Sequence, residues 1–315
     1  MLLSDKHIVI GSRGSELAKW QSGFIKNELK ARYPSIEIDI KIIKTTGDHL
    51  LDSPLSEIGG KGVFTVELEE SLLRNEIDIA VHSLKDLPTA IHPELVIAAI
   101  PMRADVRDAL LTNENGMTLA SLPAGATVAT GSLRRKAQLL ALRPDIHIID
   151  IRGNVPTRVK KLRENNWDAM LLAAAGLTRL SMESEISEYI DTDVMLPAPG
   201  QGALAIECRA DDSETISLLV SLNDEETSRS VNAERIILEA LGGGCQLPLG
   251  TYVYPNTDGY FLSACFADID GSSLVRRKAH SSKESLIESA RSLASGLLSA
   301  GADIILERLH INEVK

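Results

Sequence analysis

The densest group of chemistry-bearing side chains lies between residues 131 and 163, where nine Lys or Arg meet only two Asp. The cations are Arg134, Arg135, Lys136, Arg143, Arg152, Arg158, Lys160, Lys161 and Arg163; the acids are Asp145 and Asp150. The segments SLRRK and RGNVPTR each follow an apolar run of strand character, which puts several of these cations near helix starts. Helix N-termini there add backbone N–H donors and the positive end of the macrodipole. Thr130, Ser132 and Asn154 supply N-caps and further donors. A cation in the first turn opposes the dipole, so Arg134, Arg135 and Arg158 require a compensating anion. The pattern predicts a site for several carboxylates or phosphates, which the planar guanidinium fork binds bidentately. A solvated basic helix face is the competing reading; it suits Lys160, Lys161 and Arg163, but not Arg152 beside a strand end.

Three shorter segments add reactive groups. Arg13 and Ser15 lie on a strand–Gly-Ser–helix turn like that of the basic cluster, where Ser15 also reads as a plain helix cap. VHSLKDLP (81–88) follows an apolar strand and places Lys85 and Asp86 at its C-terminal end, where ligand crevices of open α/β sheets form. Asp86 beside Lys85 is a carboxylate poised by a cation; the alternative is a turn Asp ahead of Pro88, with His82 simply hydrogen-bonded in place. GGGCQ (242–246) presents Cys245 on a Gly-rich loop after a helix. Gly flanks admit a bulky group, and a nearby positive charge makes a thiolate nucleophile; the alternative is a small buried hydrophobe. Cys208 and Cys265 sit in the apolar strand patterns AIECR and LSACF and read as core. The patterns GxxxxGK[ST] and GxSxG do not occur.

The elements that must position these groups alternate. Residues 7–10 read as a strand, 15–32 as a helix, 36–44 (IEIDIKIIK) as a half-buried strand of period two, 64–74 as a helix and 78–82 as a strand. Between them, 47–62 is a polar, Gly-rich functional loop ending in GGKG. A second unit begins near Asp105, with strands at 126–130, 147–151 and 169–173 and helices at 133–142 and 155–163. IGSRGSELA (10–18) and ATGSLRRKA (129–137) share one grammar, which reflects either a distant duplication or the ordinary form of βα turns. Breaks at 101–105 and 196–203 (LPAPGQGA) read as two crossings between lobes, with a ligand cleft between them. Beyond 224, a helix at 225–241, strands at 252–254, 260–267 and 274–279, a helix at 283–299 and a strand near 304–307 make a smaller α+β domain. The expected division is 1–101 with 203–221, then 105–198, then 224–315.

Composition narrows the class. The 315 residues are 44% hydrophobic and carry a net charge of -11, which disfavours a general nucleic-acid binder. Aromatics at 3% give little surface for base stacking. No apolar run reaches the roughly 18 residues of a membrane span, and the first residues lack a secretory pattern. Three cysteines are too few for a disulfide framework and lack metal-site spacing, so a reducing cytoplasm and no metal are expected.

Taken together, eight segments resemble the porphobilinogen deaminase (hydroxymethylbilane synthase) family: GSRGSELAKWQ (11–21), GGKGVFTVELE (59–69), DIAVHSLKDLPT (78–89), TGSLRRKAQL (130–139), RGNVPTR (152–158), AAAGLTRL (173–180), LPAPGQGALAIECR (196–209) and GGGCQLPLG (242–250). They follow the family's order and span nearly the whole chain. The resemblance implies an α/β fold of three domains: two lobes like those of type-2 periplasmic binding proteins, with mixed sheets, and a small α+β C-terminal domain. It implies a transferase that joins four porphobilinogen molecules head to tail, releasing four ammonia molecules and then hydroxymethylbilane. The chain grows on a dipyrromethane cofactor held by a thioether.

Carried over by residue, the resemblance makes Cys245 the attachment point and Asp86 the catalytic carboxylate. Loss of ammonia from an aminomethylpyrrole leaves a cationic azafulvene, which a carboxylate stabilises. Ser15, Lys85, Asp86, Thr130, Ser132, Arg134, Arg135, Arg152 and Gly153 are expected to hold the cofactor. Arg13, Gln21, Lys61, Phe64, Arg158 and Arg179 are expected to hold substrate, whose acetate and propionate groups account for the arginine surplus. Glu57 stands where several relatives carry Lys, and Gly131 where Ser is frequent. A monomer without nucleic-acid or membrane partners is expected. The competing reading is a non-catalytic two-lobed anion binder, which needs neither Cys245 nor Asp86.

Overall fold

The computed structural model describes residues 7–45, 65–114, 116–243 and 247–313. The chain divides into two compact units, 1–104 with 202–228 and 105–201 with 229–315.

In the first unit, the apolar alternation yields two parallel strands, β1 (His7–Ser12) and β2 (Glu37–Ile42), paired from His7↔Glu37 to Ser12↔Ile42. The helix joining them, α1 (Glu16–Arg32), buries Ala18, Gln21, Ser22, Ile25 and Leu29 at i, i+3, i+4 spacing against the sheet. After α2 (Val66–Leu73) the chain adds β3 (Ile79–Ser83), parallel to β1, and β4 (Leu95–Ala99). A late strand, β10 (Leu204–Arg209), inserts between β3 and β4, antiparallel to both. The sheet order is β2-β1-β3-β10-β4.

The second unit repeats this plan. Its strands β5 (Asp108–Thr112), β6 (Thr127–Ala129), β7 (His147–Ile149), β8 (Ala169–Ala173) and β9 (Glu188–Ile190) take the order β7-β6-β8-β5-β9. β6 is parallel to β7 and β8, and β5 is antiparallel to β8 and β9. In each sheet the inserted antiparallel strand is the one that follows a crossing: β10 after 196–203 and β5 after 101–105. Helices α3 (Leu133–Leu142), α4 (Val155–Glu164) and α5 (Ala174–Arg179) follow β6, β7 and β8. Both sheets are mixed, so the fold is α/β.

The last segment carries α6 (Ser213–Val220), which packs in the first unit, then α7 (Glu225–Ala240) and an antiparallel sheet, β11 (Leu249–Asn256), β12 (Gly259–Ala267) and β13 (Leu274–Ser281). With α8 (Leu286–Leu297) and α9 (Asp303–Glu313) this sheet encloses its own core, including Ile237, Leu262, Phe266, Leu293 and Ile305. Gly250 and Gly271 let it pack closely in the second unit: a Cβ at Gly250 would lie 2.7 Å from Leu196, and one at Gly271 would lie 2.4 Å from the Ala141 backbone.

The expected strand near 304–307 is a helix. Gly301, at φ +110, turns the chain, and Asp303 Oδ1 accepts from Ile304 N at 2.8 Å to start α9. Ile305 and Leu309, one helical turn apart, are buried. A three-residue apolar run carries no period by which to separate a strand from a helix face.

Candidate active site

The chemistry-bearing residues sit at the C-terminal ends of parallel strands in both units, the position favoured for ligands in open sheets. In the first unit β1 runs into Arg13-Gly14-Ser15, and Ser15 caps α1 by accepting from Ala18 N at 3.2 Å. The cap fixes the turn that carries Arg13. β3 runs into a single 3₁₀ turn, Leu84–Asp86, closed by Leu87 N donating to Leu84 O at 3.2 Å. Leu84 and Leu87 are buried, which anchors the turn on the core and leaves Asp86 exposed between them. Leu84 N donates to Ala203 O at 3.1 Å, tying the turn to the segment that leads into β10. Arg13, Ser15, Gln21, His82, Ser83 and Asp86 line one pocket. Gln21, expected to reach substrate, is buried and donates its amide to Ser83 Oγ at 2.8 Å. His82 is held by Glu207, with Nε2 3.0 Å from Oε2.

In the second unit β6 runs into Thr130, whose Oγ1 accepts from Ser132 N at 3.2 Å, and Ser132 caps α3. A Cβ on the intervening Gly131 would lie 2.7 Å from Ile151 O, so this backbone leaves no room for a side chain there. Arg134 and Arg135 turn inward and are 3% and 5% exposed. Arg134 donates to Asp108 Oδ2 at 2.6 Å and to Leu196 O at 2.8 Å; Arg135 donates to Asp108 Oδ1 at 2.8 Å. Gln201 Nε2 donates to the same Asp108 oxygen at 2.9 Å. The compensating anion that these two first-turn arginines require is thus supplied by the protein itself. Burial would raise the Asp108 carboxyl; the two guanidiniums outweigh it and hold the group well below the usual carboxylate range.

Arg152 follows β7 on a half-buried loop and approaches Asp150 at 3.4 Å. Gly153 takes φ +117, and its carbonyl accepts from Arg158 Nε at 2.6 Å, while Arg152 O accepts from Lys161 at 3.1 Å. The basic side chains of α4 therefore shape this loop as well as charge it. Lys160 forms an exposed pair with Glu164 at 3.5 Å, as a solvated helix face predicts. Arg179 ends α5, where burial pulls its guanidinium down to about 10. Cys245, Lys61, Phe64 and Glu57 lie outside the described residues. Cys208 and Cys265 are buried free thiols.

Three buried acids escaped the sequence reading: Asp108, Glu207 and Glu234. The last accepts from Gly200 N at 2.7 Å and Val253 N at 2.9 Å, holding the 196–201 segment to β11. One signal was present for Glu207, a carboxylate at an interior position of the apolar strand AIECR.

Comparison with known proteins finds two family models along the chain. The family model described as porphobilinogen deaminase, dipyromethane cofactor binding domain, matches residues 8–217. A second, described as porphobilinogen deaminase, C-terminal domain, matches 228–298. The chain is 45% identical to a porphobilinogen deaminase of Trichlorobacter lovleyi, over 99% of each chain. It is 48% identical to one of Chloroherpeton thalassium, over 96% of this chain and 97% of that one. Among solved structures, the methionine binding protein MetQ aligns over 72% of this chain and 93% of its own, at 13% identity and a TM-score of 0.44.

Proposed function

The chain belongs to the porphobilinogen deaminase family, and on that premise we propose that Asp86 is its catalytic carboxylate and Cys245 its cofactor attachment point. The enzyme polymerises porphobilinogen in tetrapyrrole biosynthesis and uses a dipyrromethane cofactor. The observation that carries the reading of Asp86 is its exposure in a pocket whose polar lining includes Arg13, Ser15, Gln21, His82 and Ser83. A carboxylate there stabilises the positive charge that develops on substrate as ammonia departs. Arg13 and Ser15 bind the substrate's carboxylates from the turn after β1.

The donor set of the second unit fits a carboxylated dipyrrole: Thr130 and Ser132 hydroxyls at the start of α3, and the half-buried guanidinium of Arg152 beside Gly153. Ser132, Arg152 and the Gly153 backbone would hold its acetate and propionate groups; Lys85 and Asp86 are assigned to the cofactor from the family's motif alone. When bound, the cofactor supplies the ring to which the first substrate is joined. Arg158 and Arg179 serve the incoming units. Arg134 and Arg135, both bound to Asp108, set the position of the α3 N-terminus on which Ser132 sits. After four condensations, with four ammonia molecules released, hydrolysis frees hydroxymethylbilane. A monomer acting in the cytoplasm without a nucleic-acid partner completes the reading, in keeping with a net charge of -11.

The denatured intact mass tests the proposal. A surplus of two pyrrole units, absent from Cys245→Ser, is expected. An unmodified protein that gains nothing on incubation with porphobilinogen would overturn the assignment of Cys245.

A further inference from the structure

Glu207 has no exposed surface, and His82 is 5% exposed. The register of β10 on β3 pairs Ala205 with His82 and Glu207 with Ala80, so the two side chains emerge on one face of the sheet, a diagonal apart. Ala80 belongs to an apolar cluster with Leu68, Leu72 and Leu95. Within the sheet Glu207 Oε1 is buried with no partner, while Oε2 lies 3.0 Å from His82 Nε2. An apolar pair of similar volume would stabilise such a site at least as well. Stability therefore gives no reason for the couple. His82, in turn, lines the pocket that holds Asp86.

We infer that His82 and Glu207 form a proton relay that returns Asp86 to its carboxylate form after each condensation. The inference rests on the reading of Asp86 as the catalytic carboxylate. In each condensation ammonia leaves with the electrons of its C–N bond. The ring carbon that makes the new C–C bond then loses its hydrogen: the C–H electrons restore the aromatic ring, and the proton passes to Asp86. A single Asp serves every cycle, so that proton must be cleared before the next. With Nε2–H donating to Glu207, the basic nitrogen of His82 is Nδ1. Nδ1 takes the proton from the Asp86 hydroxyl, the Glu207 carboxylate balances the imidazolium, and the proton leaves to water in the pocket. Among the described residues, the charged groups that contact His82 or line its pocket are Glu207 from β10, Asp86 from the 3₁₀ turn and Arg13 from the turn after β1.

The relay separates the first condensation, which begins with Asp86 already a carboxylate, from sustained turnover. The test uses the full chain carrying its cofactor, in native form and as Glu207→Gln, with His82→Leu/Glu207→Leu as a second variant that removes the buried charge. Intact mass under limiting porphobilinogen reads the first addition, and steady-state assay reads turnover. Glu207→Gln is expected to load cofactor, to match the native melting temperature and to complete the first addition at the native rate; the double variant, which also alters the pocket wall, is expected to show the same loss of turnover relative to its own first addition. Steady-state turnover should fall about 100-fold or more, the lower end of acid–base contributions, with a larger solvent deuterium effect. ¹⁵N NMR of the native protein should show His82 as the Nε2–H tautomer. An Nδ1–H tautomer, native turnover in both variants, or a first addition slowed as much as turnover would each overturn the relay. Asp86→Asn should lose the first addition itself; if it does not, the reading of Asp86 fails, independently of the relay.

Discussion

Asp86 stands exposed between two buried leucines, so a substitution there leaves its neighbours' hold on the core intact. Asp86→Asn keeps the volume and removes the charge. We expect stability within about 0.5 kcal/mol of native, as for other exposed positions, and kcat lower by about 100-fold or more, the scale of losing an electrostatic contact to a developing charge. Asp86→Glu keeps the charge but lengthens the reach, and should retain more activity than the amide. Parallel melting and steady-state assays decide; a parallel loss of stability and rate would mean that Asp86 is structural. The turn that carries this residue was legible in the sequence because strand, turn and carboxylate lie within eight consecutive positions, VHSLKDLP. The partner of His82 was not, because Glu207 comes 125 residues later and meets it only through the antiparallel register of β10. For the same reason Arg134 and Arg135 read as free anion ligands: Asp108 lies 26 residues upstream of Arg134, at the start of a strand that shows no other sign of a partner.

At the scale of elements, the Asp108 cluster joins β5, α3 and the segment ending at Gln201 through fully buried charges. Removing one member of such a cluster leaves the others uncompensated. Asp108→Ala is therefore expected to destabilise by about 3–5 kcal/mol, read by chemical denaturation, whereas Lys160→Ala on the exposed face of α4 should change stability by less than about 0.5 kcal/mol. The pH dependence follows in sign. Asp108 is held below its unfolded value of about 3.9. Its contribution is complete above that pH and is lost as the pH falls toward the lower folded value. Native stability should decline on acidification below about pH 4, and Asp108→Ala should show a shallower decline; equal slopes would remove Asp108 from the account. Elements with a clear period, α1 and β2 among them, were legible. β9, three residues long, and α9, begun by Gly301 and Asp303, were not, because tertiary packing fixes them rather than local pattern.

At the scale of the whole molecule, a net charge of -11 repels the two carboxylates of the substrate, yet nine cations crowd residues 131–163. Either the summed field or the placement of individual guanidiniums governs binding, and two substitutions of equal charge change separate these. Lys160 is exposed on α4 and paired with Glu164 at 3.5 Å. Arg152 is half-buried at the end of β7, next to the left-handed Gly153. A field acting across solvent is damped beyond about 8 Å at physiological salt, so Lys160→Gln should leave KM and cofactor loading unchanged. A charge-assisted contact contributes about 1.5–3 kcal/mol. Arg152→Gln should accordingly raise KM, or lower the fraction of loaded protein, by at least tenfold, with little change in melting temperature. Equal effects of the two substitutions would mean that the molecule's field, and not its placed arginines, selects the substrate. Repeating both assays at raised salt sharpens the contrast, because a half-buried contact is screened less than an exposed one.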